Sequence, residues 1–159
     1  MFVGKSIHTL GKDGRISIPS KMRDIFINKF GSEELYMVLM PVPRDVLCLF
    51  PATEFEKLTG KSDGESVESL DEMMENIQKD ADLCSAAENC KIDGSGRILI
   101  PVEMKEAAQI DQEVLVIGAR NHIQLWNPDL WNYGRKLRGV SSVSPTDKAK
   151  KLKTKSSAA

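Results

Sequence analysis

The chain has 159 residues, 41% hydrophobic and 28% charged, and its 22 Lys and Arg against 23 Asp and Glu leave a formal net charge of −1. That length can bury roughly two-thirds of the unfolded surface, so one compact domain with two lobes is expected, and the ordinary composition excludes a fibrous or wholly disordered chain. No run approaches the roughly 20 apolar residues of a membrane helix, and the start MFVGKSIHTL has no apolar core of signal-peptide length, so the chain reads as cytoplasmic with no membrane partner.

In chain order, the first informative segment is 9–23, TLGKDGRISIPSKMR. Gly14 can take positive φ at no steric cost and Asp13 suits a turn position, so a hairpin-like turn is expected there. Arg15-Ile16-Ser17-Ile18 then reads as a short strand with Ile16 and Ile18 facing the core and Arg15 at the exposed mouth. Pro19 lacks an amide hydrogen and holds Ile18 extended, which closes the strand at the threshold of a helix over about 20–29. On that helix Met22, Ile25, Phe26 and Lys29 fall at helical spacing, leaving Lys21 and Arg23 on other faces.

Apolar strands are predicted over 35–40 and 46–50, joined by the turn PVPRD. Beyond the connector TGKSDGES, the residues Leu70, Met73, Met74, Ile77 and Ala81 recur at three and four. That spacing predicts an amphipathic helix over 67–82 joining the lobes. The stretch from Glu54 to Glu88 is strongly acidic, in contrast to the basic end of the chain.

Residues 91–105, KIDGSGRILIPVEMK, then restate the first segment with a shared Gly-Arg-Ile-x-Ile-Pro core. Gly96 is the second turn glycine, Arg97 the second arginine, Ile98 and Ile100 the second inward pair, and Pro101 opens a helix over about 102–108. Strands over 114–119 and 123–126 follow. Asn127-Pro128 serves as cap and first residue of a helix through Leu137. Phe50 and Phe55 align with Trp126 and Trp131, so these aromatics are read as core or interface anchors rather than base-stacking groups. The repeat implies two similar lobes and two similar surface sites. The division expected is a first repeat at 1–60, a connecting helix region at 61–86, a second repeat at 87–137, and a disordered basic tail at 138–159.

Cys48, Cys84 and Cys90 are odd in number and have only His8 and His122 for company, so reduced thiols are expected, with no disulfide and no metal site. There is no nucleophile elbow, P-loop or zinc-protease motif. No enzyme activity, cofactor or small-molecule substrate is expected.

The residues alone leave two readings of the paired turns. A guanidinium fixed on a tight turn loses little entropy and matches both phosphate and the guanine edge, which suits DNA contact by Arg15 and Arg97. Alternatively, each glycine simply makes a turn and each arginine caps a strand edge. Lys12, Arg23 and Lys105 flank the turns as supporting phosphate contacts or as solvated faces, and the lysines of the tail are either a further phosphate attraction or a solubilising end.

Met1-Phe2-x-Gly4, His8, Gly14-Arg15 with Pro19 and Arg23, then Asp93-x-x-Gly96-Arg97 with Pro101, Gly118, Trp126 and Trp131 closely resemble the MraZ family of bacterial transcriptional regulators. The similarity spans nearly all of 1–137. The resemblance implies an α+β, β-rich fold of two tandem AbrB/MraZ-like repeats forming an intrachain pseudo-dimeric swapped-hairpin β-barrel with short helices. It further implies DNA contact by the Asp-x-x-x-Arg segment, transferred to Asp93 and Arg97 and, in the first copy, to Arg15. Ring-shaped homo-oligomers, binding to short direct repeats in double-stranded promoter DNA upstream of its own division and cell-wall gene cluster, and a nucleoid-associated location also follow from it. The first copy has Gly11 where the family usually has aspartate, and Asp13 and Ser95 stand where a basic residue is usual. The alternative function is a ring-forming interaction module that docks a protein through the acidic connecting helix and does not read DNA.

Overall fold

The computed structural model describes residues 1–40, 46–59 and 69–139. The expected PVPRD turn, most of the connector and the tail beyond 139 lie outside the described residues. Along the chain run β1 (Lys5–Thr9), β2 (Arg15–Ser17), α1 (Ser20–Phe30), β3 (Glu34–Met40), β4 (Val46–Pro51), α2 (Ala52–Thr59) and α3 (Leu70–Ser85), then β5 (Ala87–Lys91), β6 (Arg97–Leu99), α4 (Val102–Ala107), β7 (Glu113–Gly118), β8 (Ile123–Trp126) and α5 (Pro128–Leu137).

The architecture is α+β and antiparallel. Six strands form one sheet in the order β1-β7-β8-β4-β3-β5, and β2 pairs with β6 in a separate two-stranded ladder. Since β1 and β5 stand at opposite ends of that order, the expected closed barrel is corrected to an open sheet with a ladder beside it. The turns after β1 and β5 are the cause, because they divert β2 and β6 away from the sheet and toward each other.

The hairpin-like turns are present, but the strands that flank each one do not pair with each other. β1 does not pair with β2; it adds to the second repeat, from Lys5 opposite Ile117 to Thr9 opposite Glu113. Reciprocally β5 adds to the first repeat, from Glu34 opposite Lys91 to Val38 opposite Ala87. Turn chemistry fixes the local reversal of the chain and leaves the choice of partner strand open.

Alternation along β4 explains the two cores. Leu47 and Leu49 face one side with Phe2, Ile16, Phe26, Ile98 and Ile100, while Val46, Cys48 and Phe50 face the other with Phe55, Leu115 and Trp126. A central strand flanked by layers on both faces buries every residue, which is why its sequence is continuously apolar rather than alternating. Each fully buried Leu, Ile or Phe side chain contributes about 1.5–3 kcal/mol.

Helix α1 begins after Pro19 and ends at Gly31, whose φ of 68° supplies a left-handed cap and whose amide donates to the Ile27 carbonyl at 3.0 Å. Met22 and Phe26, four apart, are its buried pair. Helix α3 is described from Leu70, and positions 67 and 68 of the expected helix lie outside the described residues. Ser69 closes a capping box with Glu72, and that reciprocal pair fixes the start at Leu70. None of the residues of α3 is buried, and Leu70, Met73, Met74 and Ile77 lie 43–72% exposed. In α5 the Asn127 side chain accepts from the amides of Asp129 and Leu130, and Trp131 meets Trp126 edge-on at 5.1 Å.

Candidate nucleic-acid interface

The two Gly-Arg turns are brought together by the β2–β6 ladder. Ile16 lies opposite Ile98, with Arg15 opposite Leu99 and Ser17 opposite Arg97, so the two arginines occupy diagonal positions about the Ile pair. Both isoleucines are wholly buried and anchor the ladder to the core below. Each turn is closed alike: the Gly11 amide donates to the Arg15 carbonyl at 2.9 Å and the Asp93 amide to the Arg97 carbonyl at 2.8 Å. The turns also bond across the repeats, the Ile18 amide donating to the Gly96 carbonyl and the Ile100 amide to the Gly14 carbonyl, both at 2.9 Å. Gly14 and Gly96 have φ of 79° and 76°, a region where a side chain is strained.

Four charged side chains meet at this ladder. Arg15 Nη1 donates to Asp93 Oδ2 at 3.3 Å, and Arg15 Nε lies 3.7 Å from Asp13 Oδ2. Arg97 Nη1 is 3.7 Å from Asp13 Oδ2 and Arg97 Nε is 3.9 Å from Asp93 Oδ2. The arginines are 36% and 40% exposed, so they are tethered at the rim and not sequestered inside. At that exposure each ion pair is worth less than about 1 kcal/mol, and the cluster positions more than it stabilises. Both contacts of Arg97 are too long for hydrogen bonds, and its Nε is buried without a hydrogen-bond partner.

Asp93 is the structural member of the cluster. Its Oδ1 accepts from the Arg97 and Ser95 amides, both at 2.9 Å. The Arg97 amide first, then the Ser95 amide and the charges of Arg97 and Arg15, hold this carboxyl below the ordinary carboxylate range against an opposing effect of burial.

The other predicted residues lie around the same ladder without joining the four-charge cluster. Arg23, half-buried, packs its guanidinium directly against Gly96. Lys105 is its counterpart in the second repeat, yet it does not cover Gly14 in the same way. Instead Lys105 and Lys12 line an open groove of about 380 Å³ beside Gly14, with Leu99, Val102 and Asp111. The two sites are therefore similar in backbone and different in cover. Asp13 was legible only as a turn residue; the signal that it pairs with both arginines is three-dimensional.

His8 and His122 are remote from the ladder. His8 contacts Ser6 Oγ at 2.8 Å, and His122 stacks on Phe50 at 4.8 Å between Asn121 and Gln124. Among the described residues no three His, Cys, Asp or Glu side chains are grouped to hold a metal, and no helix is long and apolar enough to cross a membrane.

Comparison with known proteins gives a consistent pattern. A family model described as "MraZ protein, putative antitoxin-like" matches residues 83–153. The chain is 32% identical over 132 residues to a protein of Pseudomonas putida named transcriptional regulator MraZ, covering 83% of each chain. A protein of the same name from Syntrophobacter fumaroxidans is 33% identical over 136 residues, covering 86% of this chain and 85% of its own. Among solved structures, the solution structure of PHS018 from Pyrococcus horikoshii matches at 16% identity with a TM-score of 0.34, covering 80% of this chain and 99% of that one, a likeness too low to bear on function.

Proposed function

The chain belongs to the MraZ family, and from that membership we propose that it is a sequence-specific DNA-binding transcriptional regulator whose Gly-Arg turns face the duplex. The observation that carries this reading is the diagonal pair of half-exposed guanidinium groups, Arg15 and Arg97, held on rigid turns of one ladder. Arg23, Lys12 and Lys105 surround them and are assigned to phosphates, and Asp93 sets the turn that aims Arg97. The exchange of β1 and β5 between repeats supports treating 1–60 and 87–137 as an intrachain pseudo-dimer of AbrB-like units, linked through 61–86 and followed by a basic tail at 138–159.

One protomer offers few base contacts, at about 1–3 kcal/mol each, so useful specificity needs several protomers reading repeated sites together. We assign it a ring-shaped homo-oligomer on short direct repeats upstream of its own division and cell-wall gene cluster, in the cytoplasm and at the nucleoid. Gel shift with the upstream region of its own operon, at two salt concentrations, tests the reading. Arg15→Ala combined with Arg97→Ala is expected to weaken the shift strongly at both salt concentrations, and an unchanged shift would remove the turns from the mechanism.

A second reading is favoured by α3. Its exposed Leu70, Met73, Met74 and Ile77 form an apolar strip on an acidic helix, the surface an interaction module would use to dock a protein. On that reading the same double substitution leaves assembly and partner binding intact and no DNA shift is seen with the unsubstituted chain.

A further inference from the structure

We propose that Asp13 is a positioning residue that replaces, from two residues further along the turn, the carboxylate that the first repeat lacks at position 11. In the second repeat Asp93 supplies that group, its Oδ1 accepting the Arg97 amide at 2.9 Å and its Oδ2 lying 3.9 Å from Arg97 Nε. The aligned residue in the first repeat is Gly11, which has no side chain to offer. A Cβ built on Gly11 would lie 2.6 Å from Asp13 Oδ1. The Asp13 carboxylate therefore already fills the space into which an aspartate at 11 would project.

The contacts match as well as the space. Asp13 Oδ1 accepts the Arg15 amide at 3.2 Å, and its Oδ2 lies 3.7 Å from Arg15 Nε. Each carboxylate thus bonds the amide and faces the Nε of its own repeat's arginine, and each also reaches the arginine of the other repeat. Ser95, the counterpart of Asp13, carries no charge, so each turn holds a single carboxylate and the four-charge cluster is neutral. The first tether is the looser, because Asp13 is 51% exposed against 29% for Asp93 and its amide contact is longer.

For DNA binding this predicts the opposite sign from a simple counter-ion. Deleting a counter-ion would strengthen attraction for phosphate; deleting a positioning group releases Arg15 and weakens binding. The consequence for affinity rests on the DNA reading above, whereas the compensation itself does not. Gly11 is not at positive φ, and once position 13 is cleared a Cβ there still meets the Arg15 carbonyl at 3.2 Å, a tight contact that a shift of a few tenths of an ångström relieves.

The test compares the unsubstituted chain with Asp13→Ser, Gly11→Asp and the combined Gly11→Asp/Asp13→Ser, which gives the first turn the pattern of the second. Melting is followed together with anisotropy of a labelled duplex from its own upstream region. Asp13→Ser is expected to lower the midpoint by about 2–4 °C and the affinity roughly tenfold, as loss of a charge-assisted contact does. Gly11→Asp alone crowds two carboxylates and also lowers the midpoint, while the combined variant recovers both quantities. An Asp13→Ser protein that melts unchanged or binds more tightly would overturn the proposal, as would a combined variant that regains neither quantity. If the unsubstituted chain does not bind the duplex, the DNA reading falls and recovery of the midpoint alone decides the compensation.

Discussion

Arg23, on the helix that follows the first turn, lays its guanidinium against Gly96, the hinge of the second. One repeat thus covers the backbone of the other where the chain has positive φ, and the fit requires that position 96 carry no side chain. Gly96→Ala should cost roughly 1–2 kcal/mol from the left-handed backbone alone. It should also displace Arg23, whose long side chain can move aside cheaply. Urea unfolding reads the first effect and duplex anisotropy the second, with affinity expected to fall beyond what Gly14→Ala produces, since Gly14 meets only Leu99 Cδ1 at 3.3 Å and a carbonyl at 3.5 Å.

The arginines share their carboxylates, so their contributions to stability should not add. Removing Arg15 leaves Asp93 and Asp13 to Arg97, and removing Arg97 leaves them to Arg15. A double-mutant cycle of Arg15→Ala and Arg97→Ala is expected to show a coupling of about 0.5–1 kcal/mol, discounted for exposure. Urea midpoints that add within error would show that the cluster does not act as a unit.

His122 gives a pH dependence of known sign. The Trp126 indole donates to Gln124 Oε1 at 2.8 Å, which turns the Gln124 amide group toward His122 Nε2 at 3.1 Å. That nitrogen must then accept, so the imidazole is neutral and donates from Nδ1 to Asn121 Oδ1. Burial, with the charge of Arg120 second, lowers its pKa from the ordinary 6.5. The unfolded chain therefore takes up the proton more readily, and stability present above pH 6.5 is lost as pH falls toward the folded value. Unfolding midpoints from pH 7.5 to 5 should decline, and His122→Gln should flatten part of that decline. His8, also lowered by burial, contributes with the same sign.

The N-terminus is held as a strap. Phe2 is wholly buried, meets Phe26 at a tilt at 4.9 Å, stacks with Phe30 at 6.0 Å, and exchanges two backbone hydrogen bonds with Arg120. Gly118 permits this, because a Cβ there would strike the backbone of Phe2 and Val3. Phe2→Ala is expected to cost about 3–5 kcal/mol. Gly118→Ala should cost about 1–3 kcal/mol by overpacking. Thermal or urea melts check both, and a neutral Gly118→Ala would mean that the strap is free to lift.

Much of the ladder was legible from local rules. Ile16, Ile18, Ile98 and Ile100 alternate, follow a turn glycine and precede a proline, and all four are 0–4% exposed. Alternation is a property of a single strand, whereas pairing is a property of two. Nothing in Lys5–Thr9 by itself states that its partner is Glu113–Gly118, and so the strand pairing came only from the family resemblance, which carried with it a closed barrel where the sheet is open. The Ser69-Glu72 capping box locates the start of α3 at Leu70, which apolar spacing alone does not do. Asp13 was hidden for a different reason: its role depends on empty space at Gly11 and on an arginine 84 positions away in the other repeat.

The central claim is that Arg15 and Arg97 meet the polyanion directly. Titrating its own upstream duplex over a range of salt concentrations, with the unsubstituted chain and with Arg15→Ala/Arg97→Ala, measures this as the slope of log affinity against log salt. If each arginine neutralises one phosphate, the double variant should bind more weakly at every salt and its slope should be shallower by about 1.8. Equal affinity and equal slope for the two proteins would contradict the account.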